Sequence, residues 1–225
     1  MKKILLLALL AIVFAGCEKE KGPEDTTDIT KHFEKTFALL LEERGYISDA
    51  KKITWADVKE IKKVDVSVYN EQNGKLVSLS GIEYFAALDT LDCGYSQISS
   101  LNVSKNKKLT YLSCHSNRFT NLDVSENAAL IYLDCSWNQL ASLDVSKNAA
   151  LIYLNCSYNR LTSLDISNNT SLSEFWCRDY EESSGGYFPV TAWFDNNNIP
   201  DYFETAWIVN STTYRVDYQK ADKTN

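Results

Sequence analysis

Residues 109–171 decide the fold: LTYLSCHSNRFTNLDVSENAA (109–129), LIYLDCSWNQLASLDVSKNAA (130–150) and LIYLNCSYNRLTSLDISNNTS (151–171) are three versions of one 21-residue unit. A further copy, LDTLDCGYSQISSLNVSKNKK, precedes them at 88–108, and another opens at Leu172 with LSEFWC before the register is lost. Positions 1, 4, 6 and 11 are apolar in every full copy, as in Leu130, Leu133, Cys135 and Leu140. Alternation at positions 4 and 6 is the period of a strand with one buried face, so positions 3–7 are expected to form a parallel strand. A second apolar pair, Leu143 and Val145 in the same copy, lines the returning side of the coil. No single coil can bury its own core, but coils stacked about 4.8 Å apart share one continuous apolar column. Twenty-one residues is short for such a coil, so the return is expected to be extended or tightly turned around LDVS, with no full helix.

The shared pattern LxxLxCxxNxLxxLDVSxNxx resembles the leucine-rich repeats of the internalin type, in the branch where a cysteine replaces one core leucine. The resemblance covers about 90 residues. It implies a leucine-rich-repeat solenoid with a parallel sheet on its concave face, and a surface protein that binds a ligand there.

Three recurring polar or sulfur columns need a reading. Asn117, Asn138 and Asn159 fall where the strand must turn, and Asn106, Asn127, Asn148 and Asn169 mark the second turn. A side-chain amide at a corner can satisfy one backbone donor and one acceptor that the ladder leaves over. Cys93, Cys114, Cys135, Cys156 and Cys177 recur every 21 residues. Their number is odd, and side chains of in-register parallel neighbours run side by side rather than converge, so they are expected to be free and buried. A soft-metal array is the alternative. Asp123, Asp144 and Asp165, with Asn102 first, stand next to Ser125, Ser146 and Ser167, which points to local turn bonding. Bound calcium is the alternative, although it needs more oxygen ligands than one column supplies.

The N-terminal stretch MKKILLLALLAIVFAGC has a basic start, an apolar run from Ile4 to Phe14, and small residues directly before Cys17. It resembles the lipobox of bacterial lipoproteins, which implies cleavage after residue 16 and acylation of Cys17. Removing Lys2 and Lys3 leaves 21 basic against 30 acidic residues, a formal charge of −9. A chain so acidic is repelled by nucleic acid and by anionic membrane surfaces, so membrane contact is expected through the lipid anchor alone. Residues 17–28 read as the lipidated cysteine and a charged tether, similar to surface lipoproteins of the Bacteroides type. The expected location is the outer membrane or cell surface of a Gram-negative bacterium.

Residues 29–66 read as a helical cap. Phe33, Phe37, Leu40 and Leu41 form an amphipathic stripe, and Thr54 with Asp57 looks like a capping box opening a second short helix. Val64-Asp65-Val66-Ser67 reads as a half-copy of LDVS. The solenoid proper is placed at 67–177, and 178–225, with strand-like VTAWF and an alternating Tyr214, Val216 and Tyr218, as a β-rich C-terminal cap. A small separate binding domain is the alternative for that last segment.

No catalytic set, cofactor motif or metal-ligand spacing is present, and the two histidines, His32 and His115, stand apart. The protein therefore reads as a monomeric binding module rather than an enzyme. Outward positions of the strand region carry two aromatic ribs: Tyr111, Tyr132 and Tyr153 at position 3, and Tyr95, Trp137 and Tyr158 at position 8. Between them runs a polar furrow with Asp134 and Asn155 at position 5, ending in Trp176. Rigid aromatics beside acids and amides suit a protein ligand or, alternatively, a glycan captured for polysaccharide uptake. The same rings could simply brace neighbouring strands.

Overall fold

The computed structural model describes residues 23–68 and 76–177, together with strand backbone at 191–194 and 219–220. Residues 1–22, Cys17 among them, lie outside the described residues, as do most of 178–225. No helix among the described residues is long and apolar enough to cross a membrane.

Each 21-residue copy makes one turn of a parallel β-solenoid of the leucine-rich-repeat kind. Strands β1 (Lys63–Asp65), β2 (Thr90–Asp92), β3 (Tyr111–Ser113), β4 (Tyr132–Asp134) and β5 (Tyr153–Asn155) lie side by side. With β7 (Glu174–Trp176) they form a six-stranded sheet in the order β1-β2-β3-β4-β5-β7. Leu91, Leu112, Leu133 and Leu154 pair in strict register, and Phe175 continues the row. The regular strand covers positions 3–5 only. The inter-coil bonds nevertheless run on through the expected span and beyond, from Cys114 N–H to the Asp134 carbonyl (2.8 Å) and from Trp137 N–H to the Ser157 carbonyl (2.9 Å).

The leucine, cysteine and position-11 side chains of Ile98, Phe119, Leu140 and Leu161 all point into one core. All five ladder cysteines are buried, and none forms a disulfide. Burial pushes the Cys93, Cys114 and Cys135 thiols up, well away from the thiolate form. No group of three or more metal-ligating side chains forms among the described residues.

The two asparagine columns differ. Asn138 works on both sides of its corner: its Oδ1 accepts from Phe119 N–H (3.0 Å), and its Nδ2 donates to the Cys114 and Cys135 carbonyls. Asn127 donates to the Val103 and Asn106 carbonyls, but its Oδ1, like those of Asn106, Asn148 and Asn169, is buried without a hydrogen-bond partner. In its side-chain bonds this column supplies donors only. The return side turns as expected. Asp123 and Asp144 each accept the backbone N–H two residues on, from Ser125 and Ser146, and the hydroxyls of those serines, with these N–H groups, hold the carboxyls below the usual range.

The N-terminal segment packs one helix, α1 (Lys35–Glu43), and a single helical turn, α2 (Trp55–Val58), against the first coil. Phe37, Leu40, Leu41 and Val58 are buried there, and Asp57 accepts from both the backbone N–H and the hydroxyl of Thr54. One sequence reading is corrected here. Val64-Asp65-Val66 is not a copy of the LDVS return; Val64 stands in register with Leu91, so the segment is the first strand of the sheet. A valine–polar–valine alternation satisfies either side of a coil, and only the neighbouring strand decides between them.

Beyond the regular copies the return side carries its own ladder. Strand β6 (Ser163–Asp165) pairs in parallel with β8 (Thr191–Phe194), which pairs with β9 (Gln219–Lys220). Ser163 faces Thr191, a spacing of 28 residues instead of 21.

Candidate binding face

The outward side of the six-stranded sheet holds the residues singled out from sequence, and the register brings them together. At position 3 the rings of Tyr111 and Tyr132 stack with centroids 4.2 Å apart and planes 9° from parallel. Tyr132 and Tyr153 follow at 4.3 Å and 7°. Regular parallel strands repeat every side-chain direction, so equal residues at equal positions fall face to face. All three rings are half-buried. Burial pushes their phenols above the ordinary tyrosine range, Tyr132 in the middle the most, and the carboxylate of Asp134 adds to the effect.

Position 8 is built differently. Tyr95, Ser116, Trp137 and Tyr158 all have left-handed backbone, with φ of 55°, 54°, 55° and 57°. That region suits glycine or asparagine, and a bulky side chain there costs about 1–2 kcal/mol. The turn ejects the side chain from the sheet: Trp137 is 57% exposed although its ring stacks on Tyr158 at 4.0 Å. Tyr95 is 47% exposed and meets His115 edge-on at 4.5 Å. His115 can lie there because position 7 of the preceding coil is Gly94, where a Cβ would come within 2.7 Å of the imidazole Nε2.

The furrow between the ribs is shallower than the sequence suggests. Ser113, Ser136 and Ser157 are buried beneath it. Asp134 and Asn155 are half-buried, each holding a turn: Oδ1 of Asp134 accepts from the N–H and hydroxyl of Ser136, and Oδ1 of Asn155 from Ser157 N–H. Oδ1 of Asp92 accepts from Gly94 N–H in the same way. Trp176 is exposed at the last strand of the sheet. Sequence reasoning missed Ile131 and Ile152, which are exposed at position 2 beside the tyrosine ladder. Asp92, in the same position-5 column, is the counterpart of Asp134 two coils earlier. For the two isoleucines the signal was present as a repeat position occupied by an unusual residue.

No protein-family model matches the chain, and neither does any curated protein. Solved structures do match. The functional domain of InlJ from Listeria monocytogenes, which includes a cysteine ladder, is similar at 26% identity and a TM-score of 0.46, over 65% of this chain and 39% of that one. The internalin InlF from Listeria monocytogenes is 17% identical with a TM-score of 0.49, over 76% of this chain and 60% of that one. A leucine-rich-repeat protein of Leptospira interrogans is 20% identical with a TM-score of 0.48, over 60% of this chain and 39% of that one. These neighbours are bacterial leucine-rich-repeat proteins. The chain spans less than two thirds of each of the three. The assignment of this fold rests on its own 21-residue register.

Proposed function

We propose that the protein is a non-enzymatic binding module of the bacterial surface, held by an acylated Cys17, whose sheet face grips a protein ligand. The observation that carries this reading is the position-8 rib. Four successive turns keep a strained left-handed backbone, and two of them, at Tyr95 and Trp137, use it to present an aromatic ring to solvent rather than to bury one. Backbone strain at non-glycine residues concentrates where a surface is used. Exposed tryptophan and tyrosine give large contact area for little lost side-chain entropy. The Phe14-Ala15-Gly16-Cys17 junction supports the anchor, and the charged residues that follow it support a tether.

The test is a pair of arrays, one of extracellular proteins and one of glycans, probed with full-length protein and with a Tyr132→Ala/Trp137→Ala variant. A protein ligand lost in a variant that still folds supports the reading. A ligand found only among the glycans, or capture unchanged in the double variant, overturns it. Cys17→Ala should move the protein out of the membrane fraction; a variant that stays there, correctly cleaved, sinks the anchor.

A further inference from the structure

The position-8 rib has a gap. Its occupants in chain order are Tyr95, Ser116, Trp137 and Tyr158, and the coil that carries Ser116 presents no large side chain at position 5 either, where it has the buried Ser113. The flanking coils carry acids at that position, Asp92 on one side and Asp134 on the other, in register with Ser113. Coil 109–129 is therefore the floor of a slot across the sheet.

One wall is the indole of Trp137. Tyr158 covers one face of that ring at 4.0 Å. The backbones at positions 116, 137 and 158 share one conformation, so the opposite face of the indole is turned toward Ser116. The other wall is Tyr95 with His115 edge-on against it. Neighbouring strands are about 4.8 Å apart, which places the position-8 backbones of Tyr95 and Trp137 roughly 10 Å apart. A flat group touching both walls needs about 7–8 Å, with contact at 3.5–4 Å on each side.

The charge of the slot is one-sided. Each acid gives one oxygen to its own turn, the Oδ2 of Asp134 also accepts a long bond from Asn155 Nδ2 (3.4 Å), and among the described residues neither Asp92 nor Asp134 has an ion-pair partner. The next acid along, Asp65, differs, because Arg44 lies 3.7 Å from it. A flat cation fits every wall: its plane stacks on the open indole face, and its N–H groups meet carboxylates at the ends of the slot. Arginine is the protein side chain with that shape and charge.

Building on the protein-binding reading above, we infer that the sheet face recognises an arginine of its partner, seated over coil 109–129 between Trp137 and the Tyr95–His115 pair and matched to Asp92 and Asp134.

The experiment titrates the full-length protein with an end-capped Gly-Gly-Arg-Gly-Gly peptide at low ionic strength, beside the same peptide with citrulline, which keeps the shape and drops the charge. Binding is read by calorimetry and by tryptophan fluorescence. The arginine peptide should bind about tenfold more tightly than the citrulline one. Ser116→Tyr fills the slot without changing net charge, and this position already tolerates tyrosine in two other coils, so the variant should fold and lose about tenfold in affinity. Asp92→Asn with Asp134→Asn should lose as much. Asp123→Asn with Asp144→Asn makes the same charge change on the return side and should stay within about twofold. No measurable binding, equal binding by the two peptides, undiminished binding to the Ser116→Tyr variant, or equal losses in the two double variants each overturns the inference. Failure of this test, with partner capture still lost in Tyr132→Ala/Trp137→Ala, removes the arginine slot alone. Success here with normal capture by that variant removes instead the reading that the sheet face holds the partner.

Discussion

The two aromatic ribs run side by side on one sheet and are made in opposite ways. At position 3 the tyrosines ride on regular strand, so the backbone repeat itself stacks them, and their rings are half-buried against one another. At position 8 the side chains ride on a strained left-handed turn, Tyr95 and Trp137 stand out into solvent with Tyr158 half-buried, and the row is broken at Ser116. The first rib is explained by the stability it gives the sheet. The second costs stability to build, which is why the binding role is assigned to it.

The sharpest way to break that division is from beneath it. Leu133 lies fully buried in β4 between Tyr132 and Asp134. Leu133→Ala should cost about 2–5 kcal/mol in urea unfolding and weaken both ribs together. If binding survived that loss intact, the sheet would not be what holds the site. Tyr132→Ala comes next, removing two stacking contacts at once for about 1–2 kcal/mol. A much smaller loss would mean the tyrosine ladder is not bracing the strands. The same ladder predicts weakness in alkali. An unfolded tyrosine releases its proton near pH 10, whereas the folded ladder, above all Tyr132, holds on to its protons. The ladder's contribution to stability should therefore be level below about pH 10 and fall as pH rises further, and Tyr132→Phe should soften that fall. Denaturant midpoints across that range measure it. The smallest effect belongs to the second rib: Trp137→Gly gives up one stack but relieves a left-handed non-glycine residue, so stability should change by less than about 1 kcal/mol. Partner capture should nevertheless disappear. A large loss of stability in Trp137→Gly would make the two ribs alike.

Much of this architecture is written in the repeat. Leu130, Leu133, Cys135 and Leu140 announce a buried strand and corner, the asparagines announce the turns, and Asp–x–Ser announces the turn on the return side. What could not be read has a physical reason in each case. The left-handed backbone at Trp137 is hidden because an aromatic residue carries no signature of it; glycine or asparagine would have. The orphaned oxygen of Asn127 depends on the placement of its neighbours, which only coordinates show. The register of Val64 hangs on which strand lies beside it. The candidate site was legible as a set of columns, but its gap matters only once the indole of Trp137 is seen to be covered on one face.

The strict 21-residue register also bears on how such a surface changes over generations. Neighbouring coils pair residues one full unit apart, so an unequal crossover that deletes or doubles a single unit leaves every other coil with a partner it already fits. Deleting 109–129 would set Tyr95 directly against Trp137 and close the gap between them. Doubling it would stretch the gap by one strand spacing. Recognition in this molecule can therefore be erased or re-measured by recombination within one gene, with no point substitution at any residue that touches the partner.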